Sequence, residues 1–440
     1  MLKLLKRQSP VRIIALGFLL TILLGSVLLK LPISVKDGQN LSYIDALYTS
    51  TSAVCVTGLI SVDVGATFTL FGRLVVLLLV QVGGLGVTTI GAGIILAIGR
   101  KMDLKGVNLI KEASNLDSGK EIKKFIKSVF LTTITIELIG AVFSFFVFVG
   151  DMPALKAIEV SIFHSVASFN NSGFDILASV NGFNAFESLT HYANNVPLNL
   201  ITSVLIILGG IGFLVIKELL RTKFKWKKLS MHTKVVLTTS VALILAGTIL
   251  LKLTEGSNVT MMQAVFMSVS SRTAGFTTIN VGSLSLVGLL VMIPQMFIGA
   301  SPGSTGGGIK TTTFFTLILG VRASISNKKE KAFKYSMPKF AFKKASVVTF
   351  LAMTFVFVGT FFIALFDPTL SFRNVFFEAV SAFGTVGLTT GITPSLSVGS
   401  KIVSMLLMFV GRLGPLTIAS LAKFSHVDRF YYPEGNISIG

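Results

Sequence analysis

The sequence predicts an all-α polytopic membrane protein. Four tandem helix–pore-loop–helix repeats, with eight transmembrane helices and four re-entrant half-helices, surround one pseudo-fourfold pore. Three observations predict this. Mean hydropathy is +0.80 and only 13% of the 440 residues are charged, about half the charged fraction of a soluble chain. Apolar runs of roughly 20 residues, long enough to cross a bilayer core, alternate with lysine and arginine clusters along the whole chain. One short motif recurs four times in phase, and a period of that kind governs the whole architecture.

The basic clusters set the topology. They comprise Lys3, Lys6, Arg7 and Arg12 at the start, then 100–127, 217–234 and 322–344, and a short tail with Arg429. The net charge of +20 would suit nucleic acid only if it formed one continuous face. Grouped between apolar runs, it reads as cytoplasmic loops under the positive-inside rule, with membrane lipid as a secondary partner. Both ends of each interval then face the cytoplasm, as do both termini of a multi-pass cell-membrane protein. The single cysteine, Cys55, excludes an internal disulfide and a cysteine metal cluster. His164, His191, His232 and His426 have no ligand spacing, and no cofactor is expected. The first apolar run mimics a signal peptide but ends at Lys30-Leu31-Pro32 without a small-residue cleavage site, so it reads as a retained helix.

Within each interval a first helix is expected at 12–31, 128–149, 235–253 and 347–366, and a second at 69–98, 196–218, 284–321 and 400–422. Between them lie short segments at 47–53, 162–168, 265–271 and 376–382, too short to span. Each carries an aromatic residue (Tyr48, Phe163, Phe266, Phe377) and, four residues later, a small or hydroxyl pair. The repeats are therefore 1–99, 100–220, 221–325 and 326–440. Glycines in the second helices, at 83–86, 209–212, 299 and 411–414, allow close approach of helices or of the pore-loop backbone; the first two groups read as packing.

After each short segment comes a glycine followed by a large apolar residue. The loops are Val56-Thr57-Gly58, Asn171-Ser172-Gly173, Thr273-Ala274-Gly275 and Thr385-Val386-Gly387, and the spacing from aromatic to glycine is 10, 10, 9 and 10. A dehydrated cation needs oxygen dipoles in place of its water, and rings of backbone carbonyls supply them. Glycine permits the backbone angles such a loop needs, and a half-helix aims its negative end at the site. Four loops with one such glycine each imply a short filter for a metal cation.

The third repeat holds the most irregular stretch, 299–313. It places five glycines and Pro302 inside an apolar run. Non-helical backbone survives at membrane depth only when buried in protein or lining a watery path. Gly303, Ser304, Thr305, Gly306, Gly307, Gly308 and Lys310 read as a gate, built of small residues with few packing contacts. The stretch approaches a phosphate-binding loop, but Ile309 separates Gly308 from Lys310 and breaks that motif. Arg412 lies mid-helix, where a charge marks a pathway; it reads as part of the gate, a fixed charge below the filter that holds the gate loop, or as half of a buried ion pair, for which depth alone makes Glu137 the candidate partner. Lys310 either acts with Arg412 or snorkels to the cytoplasm. Arg272 and Asp175 are expected at the outer vestibule, and Cys55 is expected to pack near the filter.

Together, Gly-Phe or Gly-Leu at four loops, Ser301-Pro302-Gly303-Ser304-Thr305-Gly306-Gly307-Gly308-Ile309-Lys310, and Gly411-Arg412-Leu413-Gly414-Pro415 resemble the Trk/Ktr/HKT potassium transporter superfamily. The resemblance covers essentially the whole chain and is greatest to the bacterial Ktr membrane subunit, of KtrB or KtrD type. It implies potassium uptake, often with sodium as activator, by a homodimer with one pore per protomer. It also implies a cytosolic nucleotide-binding ring of the KtrA or KtrC kind as partner. In that family a serine at the first filter position goes with sodium; Gly58 implies potassium. An alternating-access sodium/potassium symporter is the alternative, although such carriers favour inverted repeats. No catalytic constellation suggests an enzyme.

Overall fold

The computed structural model describes residues 10–86, 89–90 and 119–421. The distal part of the expected 69–98 helix, the basic stretch 100–118, the N-terminal basic group up to Arg7 and the tail after 421 lie outside them. The regular secondary structure of the described residues is helical, with one short hairpin, Lys331–Ala332 with Tyr335–Ser336.

Four helices are long and apolar enough to cross a membrane: α1 (Pro10–Lys30), α4 (Gly119–Phe148), α8 (Met231–Glu255) and α12 (Ala341–Phe366). They are the four expected first helices. Each turns large apolar side chains outward, among them Leu24, Leu131, Leu253 and Phe350, as a lipid-facing surface requires. After each comes a shorter helix: α2 (Tyr43–Cys55), α5 (Ala154–Phe169), α9 (Met261–Ser270) and α13 (Phe372–Gly384). Their aromatics Tyr48, Phe163, Phe266 and Phe377 are buried. The two kinds of helix thus differ in what surrounds them: lipid-length apolar cylinders outside, short helices within.

The expected second helices are all shorter than their apolar runs. They are α3 (Leu70–Leu85), α6 (Val196–Ile211) followed by α7 (Phe213–Thr222), α10 (Leu286–Phe297) followed by α11 (Thr311–Ile325), and α14 (Val398–Leu413) followed by α15 (Pro415–Leu421). Each run starts on a side-chain cap (Thr69, Asn195, Ser285 and Ser397) that accepts a backbone N–H of the first turn. The carboxylates of Glu255 and Asp367, at the ends of α8 and α12, accept the N–H and hydroxyl of Ser285 and Ser397. The capped starts are therefore pinned to the preceding long helices.

Here the sequence reading needs correction. Continuous helices were expected over 196–218 and 400–422, with a break only in the third repeat. In the structure Gly212 and Gly414 end α6 and α14, as Gly86 ends α3, with φ of 95°, 90° and 84°. That region is open to glycine and costly for other residues. The α6–α7 pair bends by 99° at Gly212. Gly86 and Gly212, in the groups read as packing sites, are chain breaks as well.

Contacts between successive units close the bundle. Arg73 Nε of α3 lies 3.1 Å from Glu159 Oε1 of α5, and Leu189 N donates to Thr277 O at 3.0 Å. Lys401 Nζ of α14 reaches Asp45 Oδ1 of α2 at 2.8 Å, and the side chains are only 10% and 17% exposed. A nearly buried pair is costly to break from one side. Lys401→Met is therefore expected to destabilise the protein by about 3 kcal/mol, read as a lower thermal midpoint in detergent. The double variant Asp45→Asn/Lys401→Met should recover most of the loss; no recovery would mean that Lys401 acts through packing alone.

Candidate functional site

The loops after α2, α5, α9 and α13 share one backbone pattern. Val56, Asn171, Thr273 and Thr385 have φ of 57°, 57°, 75° and 51°, and two residues later Gly58, Gly173, Gly275 and Gly387 have φ of 88°, 68°, 78° and 95°. Each loop is tied back to its own helix. Thr57 N, Ser172 N and Val386 N donate to Ser52 O, Ala167 O and Ser381 O at 2.8, 2.9 and 2.9 Å, and Gly275 N to Ser270 O at 3.3 Å. Gly58 N and Gly387 N find the hydroxyls of Ser52 and Ser381 at 3.0 and 3.2 Å. The hydroxyl pairs noted in the sequence thus anchor the loops. Their spacing was legible, but their bonding was not.

The four glycines close on one another. A Cβ placed on Gly58 would meet Ser172 O and stand 3.0 Å from Gly173 Cα. One on Gly173 would stand 2.8 Å from Ala274 O and 3.0 Å from Gly275 Cα. One on Gly275 would meet Val386 O, with Gly387 Cα at 3.2 Å, and one on Gly387 would meet Thr57 O, with Gly58 Cα at 3.0 Å. The order 58, 173, 275, 387 and back to 58 is a ring. The carbonyls of Thr57, Ser172, Ala274 and Val386 fill the space that each neighbour's side chain would need. Both φ and close approach therefore exclude a Cβ at these positions. Leu59, Phe174, Phe276 and Leu388, next in the chain, are buried.

The stretch between α10 and α11 packs directly against this ring. Gly307 N donates to Thr385 Oγ1 at 3.0 Å, and a Cβ on Gly306 would stand 3.0 Å from Thr273 Cβ. Its stem is fixed by Gly299 N to Ile309 O at 2.9 Å and Ile309 N to Phe297 O at 3.2 Å. Ser301 N and Thr305 N donate to Gly210 O and Gly209 O at 3.0 and 3.2 Å, and Phe213 N donates to Gly303 O at 3.0 Å. Thr305, Gly306, Gly307 and Gly308 are buried, while Gly303 is exposed and Ser304 half-buried. The expectation of few packing contacts is thus corrected: small residues let the loop fit closely instead of leaving it loose.

Two cations hold it. Lys310 Nζ donates to Gly306 O at 2.8 Å and Gly307 O at 3.3 Å, so it does not snorkel away. Arg412 donates to Thr305 O on one side, and to Gly83 O and Gly84 O on the other, the last at 3.1 Å. Those glycines lie in the last turn of α3, where the Gly86 N–H reaches Gly83 O at 3.2 Å and the carbonyls carry the negative end of the dipole. Glu137 is not the partner of Arg412. It accepts from Asn170 Nδ2 at 2.9 Å and from Gln81 Nε2 at 3.3 Å. Depth alone matched a charge to a charge, whereas the broken helix offered carbonyls of its last turn, which a sequence does not display. Arg272 also departs from expectation: its guanidinium is enclosed against Ser240 O and Oγ of α8 at 3.4 and 3.3 Å, not at an outer mouth. Asp175 caps the turn at Leu177 N, 3.1 Å away, and Cys55 is buried at the end of α2.

On its other side the loop borders a cavity of about 550 Å³, lined by Gly86, Thr89, Ser304, Lys310 and Arg412 together with Val11 and Lys344 near the starts of α1 and α12. The loop therefore stands between the glycine ring and an open cavity.

Comparison with known proteins places the chain among transport proteins. Residues 20–430 match the family model described as TrkH, cation transport protein. The chain is 36% identical to Ktr system potassium uptake protein B of Bacillus subtilis, over 99% of this chain and 97% of that one. It is 35% identical to potassium/sodium uptake protein NtpJ of Enterococcus hirae, over 99% and 98%. Among solved structures, the potassium transporter TrkH of Vibrio parahaemolyticus has the same fold, with a TM-score of 0.74 at 19% identity over 95% of this chain and 86% of that one.

Proposed function

The chain belongs to the TrkH family of cation transport proteins, and from that premise we propose that it is the ion-translocating subunit of a Ktr-type potassium uptake system. It is a multi-pass membrane transporter, not an enzyme. The observation that carries the finer reading is the closed ring of Gly58, Gly173, Gly275 and Gly387 with a neighbour's carbonyl against each glycine. Potassium sheds water and is held by the loop carbonyls, which add no fixed charge. The carboxyl ends of α2, α5, α9 and α13 add negative potential there. In this reading the repeats 1–99, 100–220, 221–325 and 326–440 each cross the membrane twice. The stretch 303–308 gates the path just inside the ring, with Lys310 and Arg412 as its latches.

Sodium activation, a homodimer with one pore per protomer, a cytosolic nucleotide-binding ring of the KtrA or KtrC kind, and cytoplasmic termini in the cell membrane complete the proposal. The relatives' names support the ion, since one names potassium and another potassium with sodium. The test is uptake of rubidium, potassium and sodium isotopes in a bacterial strain lacking its own potassium uptake systems. Saturable rubidium uptake that potassium suppresses and sodium stimulates is expected. Uptake of sodium in fixed ratio with potassium would instead favour the symporter.

Topology has its own test. Asn327, at the end of α11, is expected in the cytoplasm because the basic cluster 322–344 follows the positive-inside rule. Asn327→Cys, made with Cys55→Ala, should resist an impermeant thiol reagent on intact cells and react after lysis. Labelling from outside would overturn the eight-crossing arrangement.

A further inference from the structure

The bend at Gly212 gives the surface around α7 an unusual character. Val215 and Ile216 pack with Ile211 and with Val236 of α8. Lys217, Leu220 and Arg221, three or four residues apart and so on one face, are exposed. Phe224 and Trp226 follow at 70% and 47% exposure, interleaved with exposed Lys223, Lys225, Lys227 and Lys228. A basic helix that turns by 99° from a spanning helix while showing large apolar side chains has the make-up of a segment lying in the membrane interface.

Beside α7 is a cleft of about 570 Å³ whose lining includes Lys217, Arg221, Ser230, His232, Thr233 and Gly303. Glu218 also lines it, but its carboxylate is taken up at the start of α8. It accepts from Ser230 N and Ser230 Oγ, each at 2.7 Å, and from Thr233 Oγ1. Lys217 also stands over the Phe125 ring, 5.9 Å from its centroid, while His232 Nε2 is buried with no hydrogen-bond partner among the described residues. The cleft thus offers two cations, Lys217 and Arg221, and the exposed Leu220 and Phe224 stand on the same segment.

We propose that this cleft holds the phosphate headgroup of an anionic phospholipid of the cytoplasmic leaflet. Lys217 and Arg221 meet the phosphate, and Leu220 and Phe224 meet the acyl chains. Pro302 and Gly303 of the 299–313 stretch also line the cleft, and Phe213 N, at the start of α7, donates to Gly303 O at 3.0 Å. A bound lipid therefore biases the position of Gly303 relative to α7. Binding stands independently of the transport reading, but this coupling rests on it.

The test uses the purified full chain in phosphatidylcholine nanodiscs doped with phosphatidylglycerol, with native mass spectrometry reading the phosphatidylglycerol retained. Removing two cations from the cleft by Lys217→Gln/Arg221→Gln should weaken retention by about tenfold or more. Lys328→Gln/Lys329→Gln, a charge-matched change outside the cleft, should leave it within about twofold. Equal losses would show diffuse surface attraction and overturn the site, as would unchanged retention in the cleft variant. Should the double variant fail to fold, Arg221→Gln alone carries the same comparison. Inorganic phosphate should not displace the lipid; full displacement would mean a free-anion site and overturn the lipid assignment. In proteoliposomes, the rubidium flux of the unmodified protein should change with phosphatidylglycerol content, and that of the cleft variant should not. Loss of binding without loss of this response would overturn the coupling while leaving the transport function intact.

Discussion

Gly275→Ser is expected to lower the preference for potassium over sodium by about tenfold or more, in a protein that still reaches the membrane. The serine must hold φ near 78°, a conformation that costs a non-glycine residue about 1–2 kcal/mol. Its Cβ also meets Val386 O and stands 3.1 Å from Gly173 Cα. Those neighbours are backbone, so they cannot swing aside as a flexible side chain would. Relief requires Ala274–Gly275 or Val386–Gly387 to move, which withdraws a carbonyl from the ring. Each 1.4 kcal/mol lost from one ion relative to another is a factor of ten. The measurement is competitive rubidium and sodium uptake at matched expression. Gly58→Ser breaks the same ring between Gly173 and Gly387 and should act in the same direction. An ion preference unchanged in both variants would mean that the ring is packing and that selectivity lies elsewhere.

Much of this arrangement was legible in the residues because it rests on local rules. The aromatic-to-glycine spacing located all four loops, since a half-helix and a tight turn fix how many residues separate them. Apolar length located α1, α4, α8 and α12. Breaks in the second helices were harder to read. Gly86, Gly212 and Gly414 sit among other glycines, and nothing local says which one takes a positive φ and which one only admits a neighbour. Gly83, for instance, stays helical while its carbonyl receives Arg412. The partner of Arg412 was illegible for a related reason. A helix end presents its last carbonyls to side chains from elsewhere, and this one is 329 residues away from Arg412 in sequence. The closeness of the pore loop to the ring likewise depends on Thr273 and Thr385, whose side chains carry no sequence signal of their own.

If the loop is the gate proposed above, these contacts change what its opening requires. A loose lid would open cheaply, but this loop is held by Lys310, by Arg412 and by bonds to Gly209 O, Gly210 O and Thr385 Oγ1. Arg412 matters most because it joins the loop to α3. Hydrogen bonds from a charged donor contribute about 1.5–3 kcal/mol each. Arg412→Ala removes the one to Thr305 O and both to α3, which should raise the open fraction steeply. Rubidium flux is expected to increase by at least about tenfold, with potassium preference largely kept because no ring glycine is touched. Deleting residues 303–306 goes further: it removes Thr305 with its bonds to Gly209 O and to Phe169 O at 3.2 Å, and shortens the barrier itself. Its flux should match or exceed that of Arg412→Ala and should become insensitive to the cytosolic partner. Both variants are to be compared in proteoliposomes at equal protein density, with size-exclusion profiles as the check on folding. A deletion protein that is monodisperse and membrane-inserted, yet conducts no faster, would show that the loop is structural packing. The barrier between ring and cavity would then have to be sought in the ring alone.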